Sequence, residues 1–436
     1  MATDYRHASE YLRQVLQTRT PGEVDERLRP KPHAPPPRVP GGTCATSEAI
    51  DKRWRLLKVG AATREALADA AAVAGAERYC TNVENFIGIA RVPVGLAGPL
   101  RVNGLFAAGD YYVPLATTEA ALVASYTRGA HLITEAGGCS AVVLNEGISR
   151  APGFAFKDVI EVGRFLTWVL SQLDEFRRRA EATTQYGKLI DVRITVEGNH
   201  VYLNFDFTTG DAAGQNMVTI ATQAACDYIR GHSPVRPRHH FVEANMSGDK
   251  KLTHQSFMSV RGKKVTAEVT LPADLVSRRL HTTPRCVADY WRMAAMGGVL
   301  SGTVGIQGHY ANGLAALYLA CGQDVACVAE SAVGATRLES VDDGKALYAA
   351  VTLPNLVVGT VGGGTGLPTQ RACLEIMGLA GAGNGNARAL AEVCAGLALA
   401  GEVSIIGSIC AGDFAQSHER LARGRGSARA LADHDE

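Results

Sequence analysis

The longest uncharged run in the chain sets the first expectation. From Met293 to Gln323 there is no Asp, Glu, Lys or Arg, and then Asp324 stands between apolar neighbours. Within 304–330, His309 and Asn312 are three apart, and Leu314, Leu317 and Ala320 repeat that interval. The spacing predicts a buried helix with both polar side chains on one face. Gly, Gln, His and Asn inside the run suit soluble core better than a lipid-facing helix. A carboxylate entering so apolar a segment has to be paired or protonated, because an unpaired buried charge is very costly. The pattern therefore calls for a cation from elsewhere in the chain.

The remaining pattern is mixed. Residues 1–29 can form one amphipathic helix, and the proline-rich 30–42 follows as a solvated linker, giving a flexible extension over 1–45. Helices are predicted at 47–57 and 63–74, the second capped by Thr63 and ended by Gly75. Glycines and prolines over 84–100 predict a shaped loop. A helix over 120–132 has Thr117 or Thr118 as its cap, and a strand follows at 141–144. Residues 157–182 read as one long charged helix, and 189–196 with 200–207 as a hairpin. The glycine-rich 208–217 opens a helix to about 229, and 241–248 is strand and turn leading to Asp249-Lys250-Lys251. Strands at 265–271 and 347–353, a short helix at 272–280, a backbone-exposing loop at 357–368 and a long helix at 384–408 complete a chain of mixed helices and strands. Residues 413–436 form a polar tail.

Composition narrows the function classes. A length of 436 residues implies two or three domains, and 46% hydrophobic with 20% charged residues is an ordinary globular balance. A net charge of +1 argues against a general nucleic-acid or acidic-membrane binder. The ten cysteines include no C-x-x-C pair and most sit in apolar surroundings, so buried free thiols are expected rather than disulfides or metal ligands. Residues 1–30 are polar with both charge signs and show no signal peptide, which predicts a cytoplasmic protein.

Taken singly, the chemical signals have ordinary explanations. Asp324 can be a helix cap, Glu119 a surface acid favoured by the helix dipole, and Asp249-Lys250-Lys251 a solvated turn. Strand, glycine-rich turn and helix at 208–217 is anion-binding geometry, though without the dinucleotide G-x-G-x-x-G spacing. Their order is more specific. The series runs Glu84-Asn85-x-x-Gly88, Pro93-Val94-Gly95-x-Ala97-Gly98-Pro99, Ala116-Thr117-Thr118-Glu119 and Gly210-Asp211-x-x-Gly214-x-Asn216-Met217. It continues with Asp249-Lys250-Lys251, His309-x-x-Asn312, Gly322-Gln323-Asp324, Gly359-Thr360-Val361-Gly362-Gly363-Gly364-Thr365 and Ser417-His418. Over about 47–420 this resembles the 3-hydroxy-3-methylglutaryl-CoA (HMG-CoA) reductase family, in its class I form without a membrane anchor.

The resemblance implies an α+β fold, with a small helical region at 46–86 and a large substrate and CoA domain at 87–145 and 246–412 around a buried helix. A ferredoxin-like NADP(H) domain would be inserted at 146–245, and 413–436 would be a mobile flap. The implied reaction takes HMG-CoA to mevalonate and CoA in two hydride steps with two NADPH, in isoprenoid precursor biosynthesis, and calls for no metal. Lys250 would hold the developing oxyanion, Asp324 would pair with it, and Glu119, its pKa raised by burial, would donate a proton. His418 would protonate the departing thiolate, and His309 would bond or orient Glu119. Glu84, Asn85, Arg128, Asn245, Asp249, Lys251, His309 and Asn312 would face the acyl-CoA. Lys188, Asp211, Gly214, Gln215, Asn216, Met217, Gly362, Gly363 and Gly364 would face the nucleotide. Family sites form between subunits, which implies at least a homodimer.

Three departures stand out against that pattern. Ala141-Val142 occupies the place where many members grip the acyl carboxylate with an arginine. Glu243-Ala244-Asn245-Met246-Ser247-Gly248 replaces the usual segment ahead of Asp-Lys-Lys, and Gln185 replaces an arginine associated with the 2′-phosphate of NADPH, with Lys188 nearby. They leave two alternatives to HMG-CoA reduction, a same-fold reductase of another 3-hydroxyacyl-CoA and a catalytically silent binding paralogue. They also leave NADH possible beside NADPH. The ionisable set Glu119, Lys250, Asp324 and His418 argues against the silent paralogue.

Overall fold

The computed structural model describes residues 4–31, 36–43, 45–383 and 385–413. It divides into two compact units, Met1–Ile89 and Ala90–Glu436. In the first, the expected single N-terminal helix is two, Tyr5–Thr18 and Pro21–Leu28. Pro21 removes a helical donor, and Thr20 with Glu23 closes a capping box that starts the second helix afresh. Ser47–Trp54 follows, and the helix predicted over 63–74 is again two, Ala61–Leu67 and Ala70–Ala74. Asp69, rather than Thr63, supplies the side-chain cap, accepting from Ala72 N. Ile50, Trp54 and Phe86 form a small core, and the buried Arg53 donates to the carbonyls of Pro40, Gly42 and Phe86.

The second unit contains the strands β1 (Val94–Gly104), β2 (Ala108–Ala116), β3 (Cys139–Arg150), β4 (Gly153–Ala155) and β5 (Lys188–Glu197). β6 (His200–Thr208), β7 (His239–Phe241), β8 (Gly262–Pro272), β9 (Ala335–Val341) and β10 (Ala346–Leu356) complete the set among the described residues. They join in the order β7-β4-β6-β3-β8-β10-β9, with β1 parallel to β3, β2 on β1, and β5 on β6. β1 falls where a loop is expected from the prolines and glycines. Its ladder with β2 shifts register between Ala97 and Leu100, so Gly98 and Pro99 sit at the irregularity that tolerates them.

Within 146–245, β7-β4-β6-β5 is an antiparallel sheet in ferredoxin-like order, continuous with the large sheet because β6 pairs with both β3 and β4. The helix predicted over 157–182 breaks into Val159–Val169 and Leu173–Glu181. At the break, the Ser171 hydroxyl donates to the Trp168 carbonyl. The helix after β2 runs Leu122–Glu135, and it has no threonine cap. Ala121, at φ 68°, precedes it, while the Thr117 hydroxyl takes the Glu119 N–H instead.

The Asn386–Ala411 helix runs through the core and is buried from Ala387 almost without interruption to Ser408. It alone among the described residues is long and apolar enough to cross a membrane, but 89% of its most apolar window is buried inside the protein. Its two buried acids are met by fixed donors. Glu392 accepts from the backbone N–H groups of Leu105, Phe106 and Ala107 at the β1–β2 turn. Glu402 accepts from Gly308 N, His309 N and the Thr336 hydroxyl. Such charge-assisted bonds offset the cost of burying a carboxylate.

The Leu122–Glu135 helix crosses this axis at Gly129, where a Cβ atom would lie 1.9 Å from the Ala400 carbonyl oxygen. Gly129→Ala therefore gains about 1 kcal/mol of helix propensity but has to push two backbones apart. The expected net result is a loss of about 1–3 kcal/mol, read as a lower urea midpoint at unchanged slope. A raised midpoint would mean that the helices can separate freely.

Candidate active site

The uncharged run is only partly core. Residues 293–301 end the helix Pro284–Ser301 with Met293, Met296, Val299 and Leu300 exposed, and the buried part is the helix Tyr310–Ala320, ended at Cys321. Gly322 then turns the chain at φ 68°, so close to the 362–365 loop that a Cβ would lie 2.4 Å from the Gly364 carbonyl oxygen. Gln323 exchanges two hydrogen bonds with Gly359, at 2.8 and 2.9 Å. Asp324 is thereby placed on a fixed edge. One oxygen caps the 3₁₀ turn Val325–Cys327 through Ala326 N at 3.1 Å, and the other lies 2.8 Å from Lys250 Nζ. The capping role and the pairing with a cation are both present, one on each oxygen. The Asp324 hydrogen bond outweighs partial burial and holds the Lys250 pKa above the ordinary lysine value.

Behind this pair is a network of buried and half-buried charges. Lys250 has φ 57°, and its backbone N–H donates to Glu330 Oε1 at 3.1 Å. Glu330 is fully buried, and its other oxygen lies 2.7 Å from Arg261 Nε, out of line for a hydrogen bond but close enough for an ion pair. Burial raises the Glu330 pKa, against the opposing charge of Arg261. Arg261 also meets Asp249 in a short contact and donates to the Ser149 carbonyl at 3.0 Å. Asp249 shares Arg150 with Glu243, at 3.0 and 3.1 Å. Burial works against the Asp249 carboxylate, yet Arg261 and Arg150 together hold its pKa below the usual range. Arg150, Arg261 and Glu330 were not among the residues singled out from sequence. Glu330 was legible by the same test as Asp324, since it too is an acid in an apolar run.

The other expected substrate residues are distributed unevenly. Glu119 is exposed rather than buried, and the side chain reaching it is Asn312, with Nδ2 at a long 3.5 Å from Oε1. His309 does not bond Glu119 among the described contacts. It stands at the N-cap of the Tyr310–Ala320 helix, and its buried Nδ1 has no hydrogen-bond partner. Arg128 turns to the long helix, donating to the Ser404 hydroxyl and carbonyl and to the Ser408 hydroxyl at 2.8–3.0 Å. Asn245 is exposed at φ 64°, its N–H on Glu243 Oε1, and Lys251 Nζ donates to the Asp249 carbonyl. Glu84 and Asn85 lie exposed in the first unit. His418 lies outside the described residues.

The two glycine-rich loops are stitched to the Asp324 edge. The Asp211 carbonyl accepts from Thr360 N and its carboxylate from Gly383 N and Ala387 N, so this acid ties the 208–217 loop to the start of the long helix. Gln215 donates to Cys327 Sγ at 2.8 Å, joining the Gln215–His232 helix to the turn that Asp324 caps. Gly214 precedes that helix at φ 83°, Asn216 is exposed in its first turn, and Met217 Sδ accepts from the Thr184 hydroxyl. Lys188 is paired with Glu181 at 2.9 Å. A Cβ built at Gly210, Gly362 or Gly363 would meet open space, and Gly364 packs on Gly322. Exposed backbone of this kind fits close approach by a phosphate-bearing ligand. No group of three or more His, Cys, Asp or Glu side chains that could hold a metal occurs among the described residues.

The mixed helix and sheet fold is what the solved structures similar to this chain share with it. The family model for hydroxymethylglutaryl-coenzyme A reductase matches residues 49–423. The 3-hydroxy-3-methylglutaryl-coenzyme A reductase of Aeropyrum pernix is 44% identical over 352 residues, covering 80% of this chain and 83% of that protein. That of Halobacterium salinarum is 44% identical over 347 residues, covering 79% and 85%. Among solved structures, the class II reductase from Streptococcus pneumoniae bound to NADPH aligns with a TM-score of 0.62 at 20% identity, covering 80% of this chain and 95% of that one. The chain belongs to the hydroxymethylglutaryl-coenzyme A reductase family, a family of oxidoreductases.

Proposed function

We propose that the protein reduces the thioester of (S)-HMG-CoA to (R)-mevalonate and free CoA in two hydride steps, as a soluble cytoplasmic enzyme of isoprenoid precursor synthesis. The observation that carries this reading is the Lys250–Asp324 pair, 2.8 Å apart, on an edge bonded to both glycine-rich loops. NADPH would supply the hydride at each step, with NADH the alternative to be tested. The backbone of 214–217 and 362–364 would hold the nucleotide. Lys188 would reach its 2′-phosphate only by leaving Glu181.

Lys250 holds the negative charge that develops on the acyl oxygen, which a fixed cation does without reorganising. Glu119 passes a proton to that oxygen, with Asn312 beside it. The test is oxidation of NADPH and of NADH on addition of HMG-CoA, with mevalonate identified by mass spectrometry. No nucleotide oxidation with HMG-CoA or any other acyl-CoA would overturn the reading. A homodimer with sites between subunits is part of the proposal, checked by light scattering.

A second reading, another 3-hydroxyacyl-CoA as substrate, has one specific support. Arg150 and Arg261, the two guanidinium groups of the charge network behind Lys250, are both committed to acids of this chain, Glu243 among them. Competition between HMG-CoA and 3-hydroxy-3-methylbutanoyl-CoA, which lacks the terminal carboxylate, decides between the two.

His418 would protonate the CoA thiolate after the first hydride transfer. His418→Gln is expected to cripple thioester reduction by about 10²-fold or more while largely sparing reduction of added mevaldehyde, which has no thiolate to protonate. Equal loss in both half-reactions would mean that His418 acts elsewhere.

A further inference from the structure

We infer that Glu330 is a positioning residue for Lys250, holding its backbone while Asp324 holds its ammonium. The two acids are six residues apart on one short segment, the Val325–Cys327 turn continuing into Val328–Ser331. Asp324 Oδ2 is 2.8 Å from Nζ, and Glu330 Oε1 is 3.1 Å from the backbone N of the same lysine. Any shift of this segment carries both grips together. The inference rests on Lys250 being the cation that meets the acyl oxygen.

The geometry explains why a second grip is needed. Lys250 and Asp324 are each 41% exposed, and an exposed ion pair alone fixes a long, flexible side chain poorly. Lys250 also sits at φ 57°, a left-handed backbone that side chains other than glycine disfavour. Released from its acceptor, residue 250 would return to negative φ and swing Nζ away from Asp324. Glu330 is suited to prevent this because it is fully buried and itself anchored by Arg261, which in turn holds Asp249, the residue next to Lys250. The loop is thus gripped at two consecutive residues.

The test compares Glu330→Ala with Glu330→Gln. Glutamine keeps an oxygen that accepts from Lys250 N, and alanine does not. Glu330→Ala is expected to lower kcat about 30- to 100-fold, with KM for the nucleotide within twofold. Glu330→Gln is expected to recover most of that turnover. An independent readout follows Lys250 by reductive ¹³C-methylation and NMR titration. Lys250 should titrate lower in Glu330→Ala than in the wild type, because it has lost Asp324, and should stay high in Glu330→Gln.

The proposal is overturned if Glu330→Ala leaves turnover and titration unchanged. It is equally overturned if both variants lose activity alike while the Lys250 titration does not move, which is what loss of a merely structural ion pair gives. If Glu330→Ala does not fold, Glu330→Leu takes its place, since it fills the buried volume, offers Lys250 N no acceptor and leaves Arg261 its ion pair with Asp249. A wild type inactive on every acyl-CoA would refute the reductase reading, and the titration would still decide whether Glu330 holds Lys250.

Discussion

Lys250→Ala is expected to reduce thioester turnover by about 10²–10³ while leaving the fold intact. The size follows from what the ammonium does. A preorganised charge aimed at a developing oxyanion acts in the transition state and adds little to ground-state binding, so kcat falls and KM for acyl-CoA changes little. The intact fold follows from position. Lys250 Nζ bonds Asp324 on a pair that is 41% exposed on both sides, and such pairs contribute about 0–1 kcal/mol. Asp324 keeps its other role, capping Ala326 N, and the backbone bond from residue 250 to Glu330 survives truncation of the side chain. Steady-state kinetics with a urea midpoint on the same preparation separate the two effects. Turnover within a few-fold of the wild type would remove Lys250 from the chemistry, and a large fall in the midpoint would make its role structural.

What the sequence revealed and what it hid have the same physical origin. Asp324 stands out because a charge in a run of apolar residues demands a partner if it is buried, yet it is 41% exposed, so burial does not force its pairing with Lys250. The identity of the partner came from motif order, and the structure forms the pair. Glu392 and Glu402 raise the same demand inside the long helix, but their donors are mostly backbone N–H groups of turns at 105–107 and 308–309. Every residue except proline has such a group, so no residue type marks it. Arg128 is a different case. The family resemblance implies a place near the acyl-CoA, and in the structure its guanidinium donates to Ser404 and Ser408, two ordinary helix residues one turn apart that nothing in the sequence marks. β1 was hidden because proline and glycine suggest a loop unless the register shift that accommodates them is known.

Asp324→Asn is the sharper test of the pair, because it changes charge at nearly constant shape. Asparagine can keep its carbonyl oxygen on Ala326 N and so preserve the cap of the Val325–Cys327 turn. It then turns an amide N–H₂ toward the Lys250 ammonium in place of an acceptor. The largest influence on Lys250 is the hydrogen bond it donates to Asp324, which raises its pKa, so the variant lysine titrates lower than the wild type. That shift alone does not explain a loss at neutral pH, since an unpartnered lysine near 10.4 is still fully protonated there. The expected fall in kcat, about 10²-fold, therefore comes from loss of aim, the ammonium no longer being held where the oxyanion forms. Two pH effects follow. The alkaline limb of kcat moves to lower pH in the variant. The pair's contribution to stability, which in the wild type is fully present below the unfolded lysine pKa and is lost as pH rises through the raised folded value, disappears. A pH–rate profile and alkaline unfolding on wild type and variant measure both. Near-normal turnover at pH 7 with an unmoved alkaline limb would leave Asp324 as the cap of a 3₁₀ turn and nothing more.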